Sequence, residues 1–299
     1  MQYLRKWREL PLHLMMLPAV LVVLIYYYGP MFGIIMAFQD FNPVKSFFGS
    51  QWVGLKNFSY ISEIPGVFQV LWNTIYIAFF KIIGMIIVPV FFSLLLNEVS
   101  KDKYKRLIQT MIYLPNFMSW IILGGILMDV LSTQGGLVNQ IIGVLGIDPI
   151  FFLGDKIWFP ITMIITDIWK GFGFGTIIYL AALTSIDPTL YESSYMDGAS
   201  RWKQTIYITL PGMLPIIVLM TVLSLGNVLN AGFEQIFNLY NPSVYETGDI
   251  IDTFVYRLGI EQAQFAPAAA VGLFKSVVSF IFVALSYLLA DKFANYRVF

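Results

Sequence analysis

Five charged residues, Lys81, Asp129, Asp167, Lys170 and Lys275, stand inside stretches that are otherwise strongly apolar. A charge in such surroundings is costly and is kept where it faces a protein interior or a watery cavity, so these positions are functional candidates. Asp167 and Lys170 lie three residues apart, neighbours on a helix, and are expected to neutralise each other. Trp169, Phe172 and Phe174 place rings beside them, while Asn227, Asn230, Glu234 and Gln235 supply amides and a carboxylate. Aromatic faces pack on the CH faces of a sugar, and amides and carboxylates exchange hydrogen bonds with its hydroxyls. The chemistry on offer is therefore reversible binding, with Asn227, Asn230 and Glu234 at i, i+3 and i+7 on one helical face. The same residues also suit interhelical hydrogen bonding, with lysines snorkelling and aromatics packing on neighbours.

Catalytic and metal chemistry find little support. The single histidine, His13, lies near the N-terminus, so no Ser-His-Asp set can be assembled, and a metal role for it lacks a second ligand. Asp148, Asp155, Glu246, Asp249, Asp252 and Glu261 fall in connections without a convincing acid/base pair. There are no cysteines, which excludes disulfides and thiolate sites. No Gly-x-x-x-x-Gly-Lys-Ser/Thr phosphate loop occurs, so any ATP is bound elsewhere. Zero net charge and the lack of a basic block argue against nucleic acid.

The elements that must position these residues follow from composition. Of the 299 residues 58 % are hydrophobic and 12 % charged, with mean hydropathy +0.74, as in a polytopic membrane protein. A hydrocarbon core of about 30 Å needs roughly 20 helical residues. Six stretches meet that: 14–37, 70–96, 107–130, 158–183, 214–231 and 268–290. The expected fold is all-α and integral to the membrane. Arg5, Lys6, Arg8, Lys101, Lys103, Lys105, Arg106, Arg201, Lys203, Lys292 and Arg297 collect on one side, against Lys45, Lys56, Lys156 and Arg257 on the other. Basic residues mark the cytoplasmic side, which puts both termini and the loop after the fourth span there, at a plasma membrane. Residues 1–10 form an amphipathic leader, with Leu4 and Trp7 set against Arg5 and Arg8. The first span ends in Tyr26-Tyr27-Tyr28-Gly29-Pro30 without a small-x-small cleavage site and reads as a retained span. Long external connections at 39–67, 131–157 and 232–267 complete the chain. The last is expected to contact a docked partner or the mouth of a pathway.

The cytoplasmic loop 185–211 has its own architecture. Ser185 and Asp187 are candidate caps for a helix with Pro188 in its first turn, and Gly198 can end it in a left-handed conformation. A second short helix is expected over 201–207, stopping before Pro211. The first helix would offer Tyr191, Tyr195 and Met196 as apolar anchors, flanked by Glu192 and Asp197, to a partner's cleft.

The spacing Glu192-Ser193-Ser194, three residues, Gly198, nine residues, Ile208, one residue, Leu210-Pro211 resembles the loop by which permease subunits of bacterial ABC importers dock on their ATPase. In that family the second and third positions are alanines; here they are serines, still small. Asp197-Gly198-Ala199, Leu114-Pro115 and Asp187-Pro188 fit the same family. Phe233-Glu234-Gln235-Ile236, Leu239-Tyr240-Asn241-Pro242, the run from Asp252 to Arg257 and Val271-Gly272-Leu273-Phe274 are similar to its carbohydrate branch in Gram-positive bacteria. The resemblance implies a type I, MetI-like permease of six transmembrane helices, with residues 1–68 as leader, first helix and external loop and 69–299 as permease core. Residues Tyr191 to Ala199 would couple to the ATPase, and Asp167, Trp169, Lys170, Phe172, Asn227, Asn230, Glu234 and Lys275 would line the solute pathway. It also implies a second homologous permease, two cytoplasmic ATPase subunits holding ATP and Mg, an extracellular solute-binding lipoprotein and an oligosaccharide solute. The chain itself would bind no cofactor and catalyse nothing. The elbow alone leaves open a peptide, polyamine or phosphate cargo. An ion-coupled transporter, whose inverted repeats are not visible here, is the remaining alternative.

Overall fold

A computed structural model describes the backbone of residues 2–294 and the side chains of residues 11–288. The expected amphipathic pattern of residues 1–10 and the flanking charges Lys292 and Arg297 lie outside the described side chains.

The chain is built from helices: α1 (Pro11–Phe38), α2 (Val67–Asn97), α3 (Asp102–Phe117), α4 (Trp120–Val130), α5 (Leu137–Val144), α6 (Trp158–Thr184), α7 (Pro188–Met196), α8 (Arg201–Leu225), α9 (Phe233–Leu239) and α10 (Phe265–Leu288). Five of them, α1, α2, α6, α8 and α10, are long and apolar enough to cross a membrane, and α3 with α4 makes a bent sixth. The chain divides into two compact units, residues 1–64 with 255–274 and residues 65–254 with 275–299.

In the first unit the apolar run of α1 is exposed along its length, as expected of a surface covered by lipid rather than water. A two-residue antiparallel ribbon follows, β1 (Gln39–Asp40) against β2 (Gln51–Trp52), with Gln39 opposite Trp52. Phe38 stacks on Trp52 at 5.6 Å, and the Asn57 amide donates to the Ala37 and Gln39 carbonyls at 3.0 and 2.9 Å.

In the second unit α2 and α6 pack along their lengths, which small residues allow: Gly84 sits against Ile168, where a Cβ would collide. Two apolar clusters flank this pair. One joins Ile77, Phe159, Met163, Ile236, Val244 and Ile250; the other joins Tyr179, Leu183 and Met213.

Two expectations about the helices need correction. The third span is not one helix over 107–130, because α3 and α4 meet at 104°. Pro115 lies in a tight 3-10 turn, Met118 is extended, and the Ser119 hydroxyl accepts from the Ile122 N–H, starting a new helix. The fifth span is not 214–231 but runs from Arg201 and ends at Leu225. The expected short helix over 201–207 therefore does not stop before Pro211. A wider π turn at Thr205–Thr209, closed by the Leu210 N–H on the Thr205 carbonyl, accommodates a residue that lacks an N–H and crowds the preceding turn. Residues 232–267, expected as a long external connection, are an ordered and partly buried segment. They contain α9 and the short helices Tyr245–Gly248 and Ile251–Tyr256, with Ile236, Leu239, Val244, Ile250 and Ile251 buried.

Candidate functional site

The elbow between α6 and α8 is capped at both ends. The Asp187 carboxylate accepts from the Thr189 N–H at 2.9 Å, and Pro188 occupies the first turn, where a missing N–H costs nothing. That hydrogen bond holds the Asp187 carboxyl below its ordinary value of 3.8. Ser185 does not cap α7; its hydroxyl donates to the Ala182 carbonyl and closes α6 instead. At the other end Gly198 adopts φ +74°, with the Ala199 N–H on the Ser194 carbonyl at 2.9 Å and the Gly198 N–H on the Tyr195 carbonyl at 3.0 Å. This is the Schellman arrangement, which a side chain at Gly198 would strain.

Serines stand where alanines were expected, and their hydroxyls are used locally. Ser193 donates to the Thr189 carbonyl, Ser194 to the Tyr191 carbonyl, and the Gln204 amide donates to the Ser194 hydroxyl at 2.9 Å. The Tyr191 hydroxyl lies 3.0 Å from that of Thr209. Both contacts tie α7 to the start of α8. Glu98 at the end of α2 pairs with Arg201 at 2.5 Å on the surface. The outer face of α7 is free: Tyr195 is 76 % and Met196 84 % exposed, with Glu192 and Asp197 exposed beside them. A rigid, capped, projecting helix with two bare apolar side chains can seat in another protein's cleft.

The polar centre of the bundle is arranged differently from the expectation. Asp167 and Lys170 do not pair. Their side chains leave α6 in different directions: Asp167 lies 3.6 Å from the Lys81 ammonium on α2, whereas Lys170 donates to the Asn116 carbonyl at 3.3 Å and sits 5.3 Å from the centre of the Trp120 ring. Lys81 is 5 % exposed and is fully engaged, donating to the Ala231 carbonyl at 2.7 Å and to the Gln235 side-chain oxygen. The Gln235 amide in turn donates to the Met163 carbonyl and the Thr166 hydroxyl. Every polar group of this buried network has a partner, as low-dielectric surroundings require.

Asn227, Asn230 and Glu234 do not share a helical face, because α8 ends at Leu225 and α9 begins at Phe233, after Gly232 at φ +93°. All three side chains are nevertheless exposed around this unwound stretch. Trp169 is exposed, but Phe172 is buried against Phe92, with ring centres 4.6 Å apart, and is a packing residue. Lys275 on α10 pairs with Asp252 at 2.5 Å. Sequence reasoning missed Trp120, Asn116 and the central position of Gln235. The Leu114-Pro115 step inside an apolar run is the signal that could have drawn attention to the first two, since interrupted helices put backbone groups at membrane depth.

Residues 85–295 match the family described as binding-protein-dependent transport system inner membrane component. The chain is 42 % identical over 288 residues to the polygalacturonan/rhamnogalacturonan transport system permease protein YteP of Bacillus subtilis (strain 168), spanning 96 % of this chain and 90 % of that protein. Two solved structures are similar over almost their whole length. One is a bacterial ABC transporter involved in the import of the acidic polysaccharide alginate, with TM-score 0.88, 36 % identity, and 98 % of this chain and 99 % of that one covered. The other is a bacterial alginate ABC transporter in complex with an alginate pentasaccharide-bound periplasmic protein, with TM-score 0.89, 35 % identity and 99 % of both chains covered.

Proposed function

This chain belongs to the family of binding-protein-dependent transport system inner membrane components, and on that premise we propose that it is the transmembrane permease subunit of an ATP-driven importer of oligosaccharides or polysaccharide fragments. It is a non-catalytic subunit. The observation that carries the reading is the elbow, a doubly capped α7 that projects Tyr195 and Met196 and is tied through Gln204 and Thr209 to α8. A relative named for polygalacturonan/rhamnogalacturonan transport and a similar structure involved in alginate import support the cargo.

In this reading the stretch from Tyr191 to Ala199 docks on the ATPase. Movement of the ATPase displaces α7, and the α7–α8 contacts pass the displacement to the helix that ends beside Asn227, Asn230 and Glu234. These three, with Trp169 and Lys170, are the groups that meet the solute. Asp167 orients Lys81, and Lys275 acts through its pair with Asp252, so both shape the pathway. Partner ATPases hold ATP and Mg. A second homologous permease, two ATPase subunits and an extracellular solute-binding lipoprotein complete the importer in the surrounding lipid. The excess of Lys and Arg flanking these segments supports a cytoplasmic side for both termini and the elbow.

The test is to purify the tagged chain from its native membrane and identify what accompanies it. A second permease and an ATPase are the expected companions, with ATP hydrolysis stimulated by an oligosaccharide-loaded binding protein. A lone homo-oligomer without ATPase activity would overturn the assignment.

A further inference from the structure

Among the described residues of the second unit, Lys81, Lys170 and Lys275 lie in the apolar interiors of spans, away from the basic ends that hold Lys103, Lys105 and Lys203, and two of these three have a carboxylate. Lys81 has Asp167 at 3.6 Å and Lys275 has Asp252 at 2.5 Å. Among the described residues Lys170 has no carboxylate within ion-pair distance; its ammonium meets only the Asn116 carbonyl and the Trp120 ring. Yet Lys170 is the thirteenth of the 27 residues of α6, at the middle of a span, where an uncompensated charge is least favourable. It is only partly buried, so its ammonium is not sealed in the packed core. The break between α3 and α4 explains the surroundings. It frees the Asn116 carbonyl from helical pairing and brings Trp120, at the first turn of α4, beside the ammonium.

We propose that Lys170 reads a carboxylate on the passing solute, so that the cargo is a uronate-bearing oligosaccharide; this deepens the transport reading and rests on it. A uronate offers the two features this corner lacks. Its carboxylate supplies the missing counter-charge through a charge-assisted hydrogen bond, and its CH face packs on an indole. A neutral sugar leaves the mid-span charge as it was, so the site discriminates between the two. The competing role for Lys170 is purely structural, holding the end of α3 by the Asn116 carbonyl.

The experiment uses the complete importer in proteoliposomes, with its second permease, ATPase and binding protein, and compares uptake of trigalacturonate and its methyl ester by wild type, Lys170→Met and Lys170→Arg. Losing one charge-assisted hydrogen bond should lower the acid-to-ester uptake ratio by about tenfold in Lys170→Met. Lys170→Arg should keep the ratio near wild type. The ATP hydrolysed per trigalacturonate imported should rise in Lys170→Met, a quantity that a loosened bundle would not change because uptake and hydrolysis would fall together. An unchanged ratio, or a parallel fall of uptake and hydrolysis, would overturn the role of Lys170 while leaving the transport reading standing. Wild-type uptake of neither compound would overturn the uronate assignment, while the transport reading is overturned only by the absence of a co-purifying ATPase.

Discussion

Lys81 on α2 donates a 2.7 Å hydrogen bond to the carbonyl of Ala231, the residue just before the chain turns at Gly232 into α9. One buried ammonium thus holds the unwound end of the fifth span against the second, and Asp167 and Gln235 complete its shell. Irregular backbone at membrane depth is tolerated only where such partners replace the missing helical hydrogen bonds.

Replacing Lys81 with Met should leave the Ala231 carbonyl, the Gln235 amide oxygen and the Asp167 carboxylate without their cation. Breaking a buried pair in this way costs about 3 kcal/mol. Thermal unfolding of the purified importer should shift clearly downward, and Lys81→Arg should do less damage. An unchanged midpoint in Lys81→Met would mean that the ammonium is not what holds this junction.

At the elbow, Gly198→Val places a β-branched residue at φ +74°, where nothing lies within 4 Å of an added Cβ. The left-handed backbone conformation itself costs such a residue about 1–2 kcal/mol. Uptake and solute-stimulated ATPase activity should both fall at normal expression, whereas Gly198→Asn, which tolerates the left-handed region, should be milder. Normal uptake in Gly198→Val would remove the elbow from the mechanism.

The Asp187 cap carries a pH signature. The Thr189 N–H depresses the carboxyl below 3.8, so the cap's contribution is complete above that unfolded value and is lost as pH falls through the lower folded one. The protection factor at the start of α7, that is, exchange relative to the intrinsic rate at each pH, should therefore be flat across neutral pH and fall only in strong acid. Asp187→Ala should exchange faster at neutral pH, and Asp187→Asn should remain protected. Equal exchange in all three proteins would show that the helix needs no cap.

Asn230→Leu removes an exposed amide from the unwound stretch between α8 and α9. Uptake should drop while co-purification with the second permease persists. Loss of the complex would instead make Asn230 interhelical glue.

Much of this architecture was legible in the sequence where local chemistry decides it. Asp187, Pro188 and Gly198 specify the ends of α7 through hydrogen bonds and φ preferences that act within a few residues. Hydrophobic length located five spans, but it could not see the π turn that carries α8 through Pro211 or the Ser119 cap that splits the third span. The pairing of charges was the least legible. Asp167 and Lys170 are close in sequence, yet α2 packed against α6 supplies Lys81, a better-placed partner that spacing along one helix cannot reveal. The inward contacts of segment 232–267 were likewise invisible to local spacing. The Asn73 amide donates to the Glu246 and Asp249 carbonyls, so shortening residues 242–247 would unseat α2 contacts as well as alter an outer surface.

Docking of α7 on an ATPase is directly measurable because the chain contains no cysteine. Met196→Cys introduces a single thiol at a side chain 84 % exposed on the outer face of α7. Thiol cross-linking in the assembled importer should join this position to the ATPase subunit, with the yield changing when ATP is added. Cross-linking only to a second copy of this chain, or none to an ATPase whose co-purification is otherwise intact, would contradict it.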